Sequence, residues 1–306
     1  MNKILISIVG PTAIGKTKLA ILLAQYYKTD IISADSRQFF KEMNIGTAVP
    51  SIDELEQAEH HFIQHKSITE PYTVGDFERE ALHKLSELFE NKDVIIMVGG
   101  SGLYVNAVTE GLNSFPTIDP SVREKLNTEY KDHGLEHLQN TLKKLDPGHY
   151  NKVDIQNPQR VIRALEVSIG SGEPYSSFIN KPKTEREFKV ISVGLKAERP
   201  LLYERINKRV DVMMETGLLA EAKSVLPFRD YNALQTVGYK ELFKFFDGEW
   251  TLEYAISEIK KNTRRFAKRQ LTWFLKNKNT LWFDYNYEQS SLLQEINNEL
   301  LKIKHG

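Results

Sequence analysis

A β-branched apolar run at residues 3–9 leads directly into Gly10-Pro11-Thr12-Ala13-Ile14-Gly15-Lys16-Thr17, and residues 18–27 then show helical spacing. No other feature constrains the fold as strongly. The octapeptide fits G-x-x-x-x-G-K-[ST], and its context is a strand before it and a helix after it. In such a loop the backbone N–H groups turn inward around phosphate oxygens. The helix N-terminus adds partial positive charge, and glycine lets the backbone approach closely. Lys16 is placed to neutralise terminal phosphate charge, and the Thr17 hydroxyl to hold Mg²⁺. A chain that begins this way is expected to build an open parallel α/β sheet around a di- or triphosphate site. The loop does not specify the reaction.

The rest of the chain extends that pattern. Short strands are expected at 30–33 and 94–98, with helices at 53–66 and 77–89. Between 117 and 185 only helical segments appear (121–131, 135–145, 158–168), punctuated by Pro and Gly. Residues 188–195 resume the buried-strand pattern. Helices follow at 200–215, 218–226, 239–246, 252–275 and 289–302, with a last strand at 280–285. The expected fold is therefore a P-loop NTPase-like parallel-sheet core, residues 1–116 plus 186–306, with carboxyl-terminal helices. An α-helical domain, 117–185, is inserted into it. At 306 residues and ~150 residues per domain, two domains is also the length prior.

Composition narrows the chemistry. The chain has no cysteine, so a disulfide scaffold, a Cys-ligated zinc site, an iron–sulfur cluster and a thiolate nucleophile are excluded. No apolar run approaches the ~20 residues that cross a bilayer. The amino-terminal run leads into a glycine loop and not a cleavage site, so a cytoplasmic protein with no membrane partner is expected. Lys+Arg and Asp+Glu are both 41, yet the charges are segregated. Lys260, Lys261, Arg264, Arg265, Lys268, Arg269, Lys276 and Lys278 fall in one stretch without an acid, whereas 51–95 is acidic. A basic stripe is the footprint that nucleic-acid phosphates require.

Three classes of function are open to such a chain. A GTPase is disfavoured: Asn151-Lys152-Val153-Asp154 spells a guanine-reading tetrad but follows no buried strand, and no glycine has an aspartate three residues before it. A small-molecule or RNA kinase would use Asp35 to activate a hydroxyl and Arg205 and Arg209 to stabilise the transferred phosphoryl. A non-catalytic RNA-binding module would use the basic stripe but leave the phosphate loop without a role. Asp35 closes the second strand, the edge at which open α/β sheets bind ligands.

Many motifs occur in order along nearly the whole chain: Gly10–Thr17, Asp35-Ser36-Arg37-Gln38, Gly46-Thr47-Ala48, His60-His61, Gly99-Gly100-Ser101-Gly102-Leu103-Tyr104, residues 157–166, Val237-Gly238-Tyr239-Lys240-Glu241 and residues 263–273. On these the chain resembles the bacterial tRNA dimethylallyltransferases, or tRNA isopentenyltransferases. The resemblance implies transfer of a dimethylallyl group from dimethylallyl diphosphate to the exocyclic amine of the adenosine immediately 3′ of a tRNA anticodon, with Mg²⁺. The phosphate loop, nominally an ATP- or nucleotide-binding motif, would then hold an organic diphosphate as leaving group. Asp35 would be the general base. Arg205 and Arg209, one helical turn apart, would clamp the diphosphate. The family pattern further implies tRNA contacts at Asp35, Ser36, Arg37 and Gln38, at Ser101 and Arg123, and at Gln159, Arg160, Val161, Ile162 and Arg163. Lys240 and the 264–269 stripe would hold the RNA backbone, and the anticodon stem-loop is the expected partner of a monomer.

Four departures from the family pattern leave these groups intact. Val49 stands where lysine is frequent, and Ile14 where a small residue is usual. Ser101 replaces a threonine, and Phe39-Phe40 a region that often carries tyrosine. Ile259, Phe266 and Trp273 recur every seven residues and are expected to face the core. His60-His61 lacks neighbouring carboxylate ligands in sequence and is given no metal role.

Overall fold

The computed structural model describes residues 3–179 and 185–305. Strands and helices alternate through the first half as β1 Ile4–Val9, α1 Lys16–Tyr27, β2 Ile31–Ser33, α2 Ile52–Glu56, β3 His60–His61, α3 Val74–Leu88, β4 Val94–Val98 and α4 Gly102–Glu110. Helices α5 Pro120–Leu145, α6 Pro147–Tyr150, α7 Pro158–Ser171 and α8 Ser176–Ile179 follow. The chain then returns through β5 Lys189–Lys196, α9 Arg199–Glu215, α10 Leu218–Ser224, α11 Tyr239–Phe246, α12 Leu252–Phe274, β6 Leu281–Asp284 and α13 Gln289–His305.

The six strands form one parallel sheet in the order β3-β2-β4-β1-β5-β6. β1 lies at its centre, and all six of its residues are buried. That is what a continuous Ile/Leu/Val run requires, because helices cover both faces of a parallel sheet. Alternate residues of the central strands feed separate cores. Leu5, Val9, Ile95 and Met97 pack with Phe39, Phe77 and the α10–α12 helices. Ile4, Ile6, Ile8 and Ile96 pack with α1, α9 and α13.

The chain divides into two compact units, Met1–Thr109 with Arg186–Gly306, and Glu110–Glu185. The helical unit starts before residue 117 because the intervening segment packs within it. Phe115 stacks on Tyr175 at 5.0 Å, and Ile118 lies against Gly170. Its own core is Leu126, Leu138, Leu142, Val161, Ile162, Ala164 and Leu165. α5 merges the two expected helices, with a break in helical geometry at Gly134 (φ 76°, ψ −178°).

One helix differs from expectation. Residues 53–66 do not form a single helix: α2 ends at Glu56, and His60 and His61 pair with Ile31 and Ile32 as an edge strand. Positive φ at Phe62 (65°) and Gln64 (48°) prevents continuation of a helix. His61 Nε2 lies 3.1 Å from Asp30 Oδ2 and so braces the sheet edge, while His60 Nδ1 lies 2.7 Å from the Ala58 carbonyl and His60 borders the crevice described below. Among the described residues no three His, Asp or Glu side chains gather as a metal site, and no helix is long and apolar enough to cross a membrane.

Candidate active site

The carboxyl ends of β1, β2 and β4 open into one crevice of about 1510 Å³, lined by the 12–18 loop, Asp35–Gln38, Gly99–Tyr104, α9 and α12. Single small-molecule sites usually enclose ~300–1,000 Å³, so this crevice is larger than one such site.

The phosphate loop is held from several directions. Gly10 sits at φ +144°, and a Cβ there would come within 2.7 Å of the Leu195 carbonyl of β5, so only glycine fits. Ala13 is held at φ 64°, an uncommon angle for a residue with a side chain. Lys16 Nζ donates to the Pro11 carbonyl at 2.8 Å and so lies folded back over the loop. From α9, Arg205 Nε donates to the Ala13 carbonyl (2.8 Å) and an Arg209 N–H to Thr12 Oγ1 (3.4 Å). Both arginines therefore stand on the loop. From α12, Gln270 accepts the Thr12 N–H at 2.9 Å.

Asp35 lines the same crevice, and its Oδ1 accepts the Arg37 N–H at 3.1 Å. Burial lowers the Lys16 ammonium from 10.5 to about 8, with the Asp35 carboxylate opposing the shift and Arg209 reinforcing it. Burial also depresses Arg209, with Arg205 adding to the effect and Asp35 again opposing it. The base candidate and the loop cations thus lie within electrostatic reach of each other.

That ionisation has a kinetic consequence. If the loop holds a diphosphate, the charged form of Lys16 is the one that attracts it, and burial brings the loss of that charge down to about pH 8. Since kcat/KM reports groups of the free enzyme, kcat/KM for the diphosphate substrate is expected to fall about tenfold per pH unit above that value. A profile flat to pH 10 would contradict the assignment.

The remaining candidates fall into two groups. In the crevice, Ser101 Oγ accepts the Ser36 N–H (3.1 Å) and pairs with the Ser36 hydroxyl (3.0 Å). Arg37 reaches away to the Asn232 and Ala233 carbonyls at 2.9 and 2.8 Å. The Gln38 amide accepts from Ser33 Oγ at 3.2 Å and donates to the Ala48 carbonyl at 2.9 Å, so it braces the Gly46-Thr47-Ala48 loop. Lys240 is exposed on the crevice wall. In the helical unit, Glu166 holds Arg123 (2.9 Å) and Arg163 (3.1 Å), and Gln159 accepts from Arg123 at 3.2 Å. Arg160 is exposed nearby. Val161 and Ile162 correct the expectation of RNA contact: their side chains are 0% exposed and form that unit's core. The helical period that turns Gln159, Arg160 and Arg163 outward turns these two inward.

The heptad reading of α12 also needs correction. Ile259 is buried, but Phe266 and Trp273 are 39% and 37% exposed and line the crevice. Seven residues fall about 20° short of two helical turns, so such a stripe drifts off the core. Part of the basic stripe serves packing: Lys260 pairs with Asp211 at 2.5 Å and Arg264 donates to Asn207 at 2.8 Å.

Two residues were missed. Glu221 of α10 accepts N–H bonds from Asn44 (3.0 Å), Ile45 (2.7 Å) and Gly46 (2.8 Å) and the Tyr239 hydroxyl (2.7 Å), fixing the loop that Gln38 braces. Gln270 is the other. Glu221 carries no local signal; Gln270 falls within the 263–273 motif, but nothing there marks its role, because its partners lie far away in the chain.

Comparison with known proteins decides the family. Residues 38–278 match the sequence model of the IPP transferase family. The tRNA dimethylallyltransferase of Flavobacterium psychrophilum is 58% identical over 98% of this chain and 99% of its own. The chain belongs to the tRNA dimethylallyltransferase family. Its members are prenyltransferases, and this chain is one of them. The crystal structure of a tRNA isopentenylpyrophosphate transferase from Bacillus halodurans is similar at a TM-score of 0.73 and 38% identity, covering 99% of this chain and 97% of that one. A eukaryotic dimethylallyltransferase captured acting on tRNA is similar at a TM-score of 0.82 and 26% identity, covering 98% and 80%.

Proposed function

We propose that this chain transfers the dimethylallyl group of dimethylallyl diphosphate to the exocyclic amine of the adenosine immediately 3′ of a tRNA anticodon. The observation that carries the mechanism is the placement of Asp35 in one crevice with the phosphate loop, where its charge acts on Lys16 and Arg209. An adenine amine is a weak nucleophile because its lone pair is delocalised into the ring. As it attacks C1 of the prenyl group, the C1–O bond breaks and its electron pair leaves with the diphosphate. The amine proton, acidified by alkylation, passes to the Asp35 carboxylate. Loop N–H groups, Lys16, Arg205 and Arg209 stabilise the charge that grows on the leaving oxygen.

Magnesium usually takes one or two protein oxygens together with phosphate oxygens and water. The Thr17 hydroxyl, at the first turn of α1 on the crevice wall, fits that donor set. When bound there the ion would supply charge neutralisation to the diphosphate.

The target base must leave its stack to enter the crevice, which an anticodon loop permits at low cost. Phosphate contacts should make RNA binding salt-dependent. With Lys268 and Arg269 both changed to Gln, the slope of log K against log salt is expected to flatten by about 1.4–1.8. An unchanged slope would remove this helix from the RNA surface.

The site of transfer is tested by incubating an anticodon stem-loop RNA with dimethylallyl diphosphate and Mg²⁺ and digesting the product to nucleosides. A prenylated adenosine is expected, and none from the same RNA with guanosine at that position. Prenyl label on the guanosine RNA would overturn the acceptor assignment.

A further inference from the structure

Gln270 is the one polar side chain on the buried stripe of α12, which otherwise comprises Ala255, Ile259, Ala267 and Phe274. It is 6% exposed. Its Oε1 accepts the Thr12 N–H of the phosphate loop at 2.9 Å, and its Nε2 donates to the Gly100 carbonyl at 2.9 Å. An N–H only donates and a carbonyl only accepts, so both ends of the amide are specified. Gly100 admits the amide because it has no Cβ: one there would overlap Gln270 Nε2. The next residue, Ser101, carries the linkage onward through its bonds to the Ser36 N–H and hydroxyl, at 3.1 and 3.0 Å. Ser36 directly follows Asp35. A continuous path of hydrogen bonds and covalent bonds thus runs from the loop that would hold the leaving group to the residue that would take the proton.

We infer that Gln270 is a positioning residue, a two-way amide that sets the phosphate loop against Asp35. The inference rests on the prenyl-transfer reading above. Simple packing would ask only for volume, whereas this arrangement asks for one acceptor and one donor. Thr12 N–H is thereby withheld from phosphate, and Thr12 is held by Gln270 at its N–H and by Arg209 at its hydroxyl, while Arg205 holds the carbonyl of Ala13, which sits at positive φ.

Two variants separate the readings. Gln270→Met keeps the volume and removes both bonds. It is expected to lower kcat about tenfold or more, since a buried donor and acceptor are left unpaired. Gln270→Glu keeps the acceptor, but an ionised carboxylate meets the Gly100 carbonyl as a second acceptor. A protonated carboxyl restores the donor; burial and bonding to the Gly100 carbonyl raise its pKa, and the Lys16 ammonium beside Gly100 opposes them. The ratio of Gln270→Glu to wild-type kcat is therefore expected to climb as pH falls from about 8 to about 6, while the Gln270→Met ratio stays low throughout. A Gln270→Glu ratio that is flat with pH would overturn the inference, as would wild-type kcat in Gln270→Met.

Calorimetry with inorganic pyrophosphate and Mg²⁺, without RNA, gives a second readout. Binding to Gln270→Met is expected to be weaker than to wild type by about tenfold, and equal affinity would overturn the inference. Lys16→Met serves as the reference. If wild type bound pyrophosphate no better than Lys16→Met, the phosphate-loop reading itself would fall.

Discussion

Replacing Asp35 with Ala or Asn is expected to lower kcat for prenyl transfer by about 10²–10⁴-fold, the usual contribution of a general base. At 1.36 kcal/mol per decade this is about 3–5 kcal/mol of barrier. Affinity for tRNA should change little. The two variants differ in a useful way. Asparagine keeps an oxygen for the Arg37 N–H that Asp35 Oδ1 accepts at 3.1 Å, and alanine does not. Equal losses would identify basicity as the function of Asp35. Recovery in Asp35→Asn would mean that the carboxylate only shapes the loop. A second effect follows from the charge. Asp35 raises the Lys16 pKa, so removing it should move the alkaline limb of the kcat/KM profile to lower pH.

The second large effect concerns Lys16. Lys16→Met removes the ammonium while keeping the stem. The loss in kcat/KM for dimethylallyl diphosphate is expected at about 10²–10³-fold, the range for removing one preorganised donor to a developing anion. tRNA affinity should be retained, because Lys16 lies folded over the loop, donating to Pro11 at 2.8 Å. Unchanged steady-state kinetics would show that the diphosphate does not bind where the loop places it.

Much of this site was legible from local sequence, and the reason is physical. A strand, a glycine loop and a helix are contiguous, so Gly10–Thr17 carries its whole geometry in one segment. The alternation of buried strands with helices likewise gave the parallel sheet and its interruption by helices, though the helical unit begins at Glu110 and not at 117. Features that depend on distant partners were not legible. Residues 60–61 become a strand only because Ile31 and Ile32 are there to pair with them. Phe266 and Trp273 share a heptad with Ile259 yet border the crevice, and Trp273 does so against Gly102 at the start of α4, far away in the chain. Val161 and Ile162 lie inside a motif taken over whole from the family, although a helix must bury one face of it. Glu221 and Gln270 do their bonding across 175 and 258 residues of sequence respectively, separations that no spacing rule reaches.

Whether the phosphate loop serves a prenyl diphosphate or a phosphoryl donor is decided by supplying unmodified tRNA and Mg²⁺ with radiolabelled dimethylallyl diphosphate in one reaction and γ-labelled ATP in a parallel one. Prenyl label entering the RNA while the ATP stays intact is the expected result. Phosphate label passing from ATP to an acceptor, with no prenyl label in the RNA, would contradict the account.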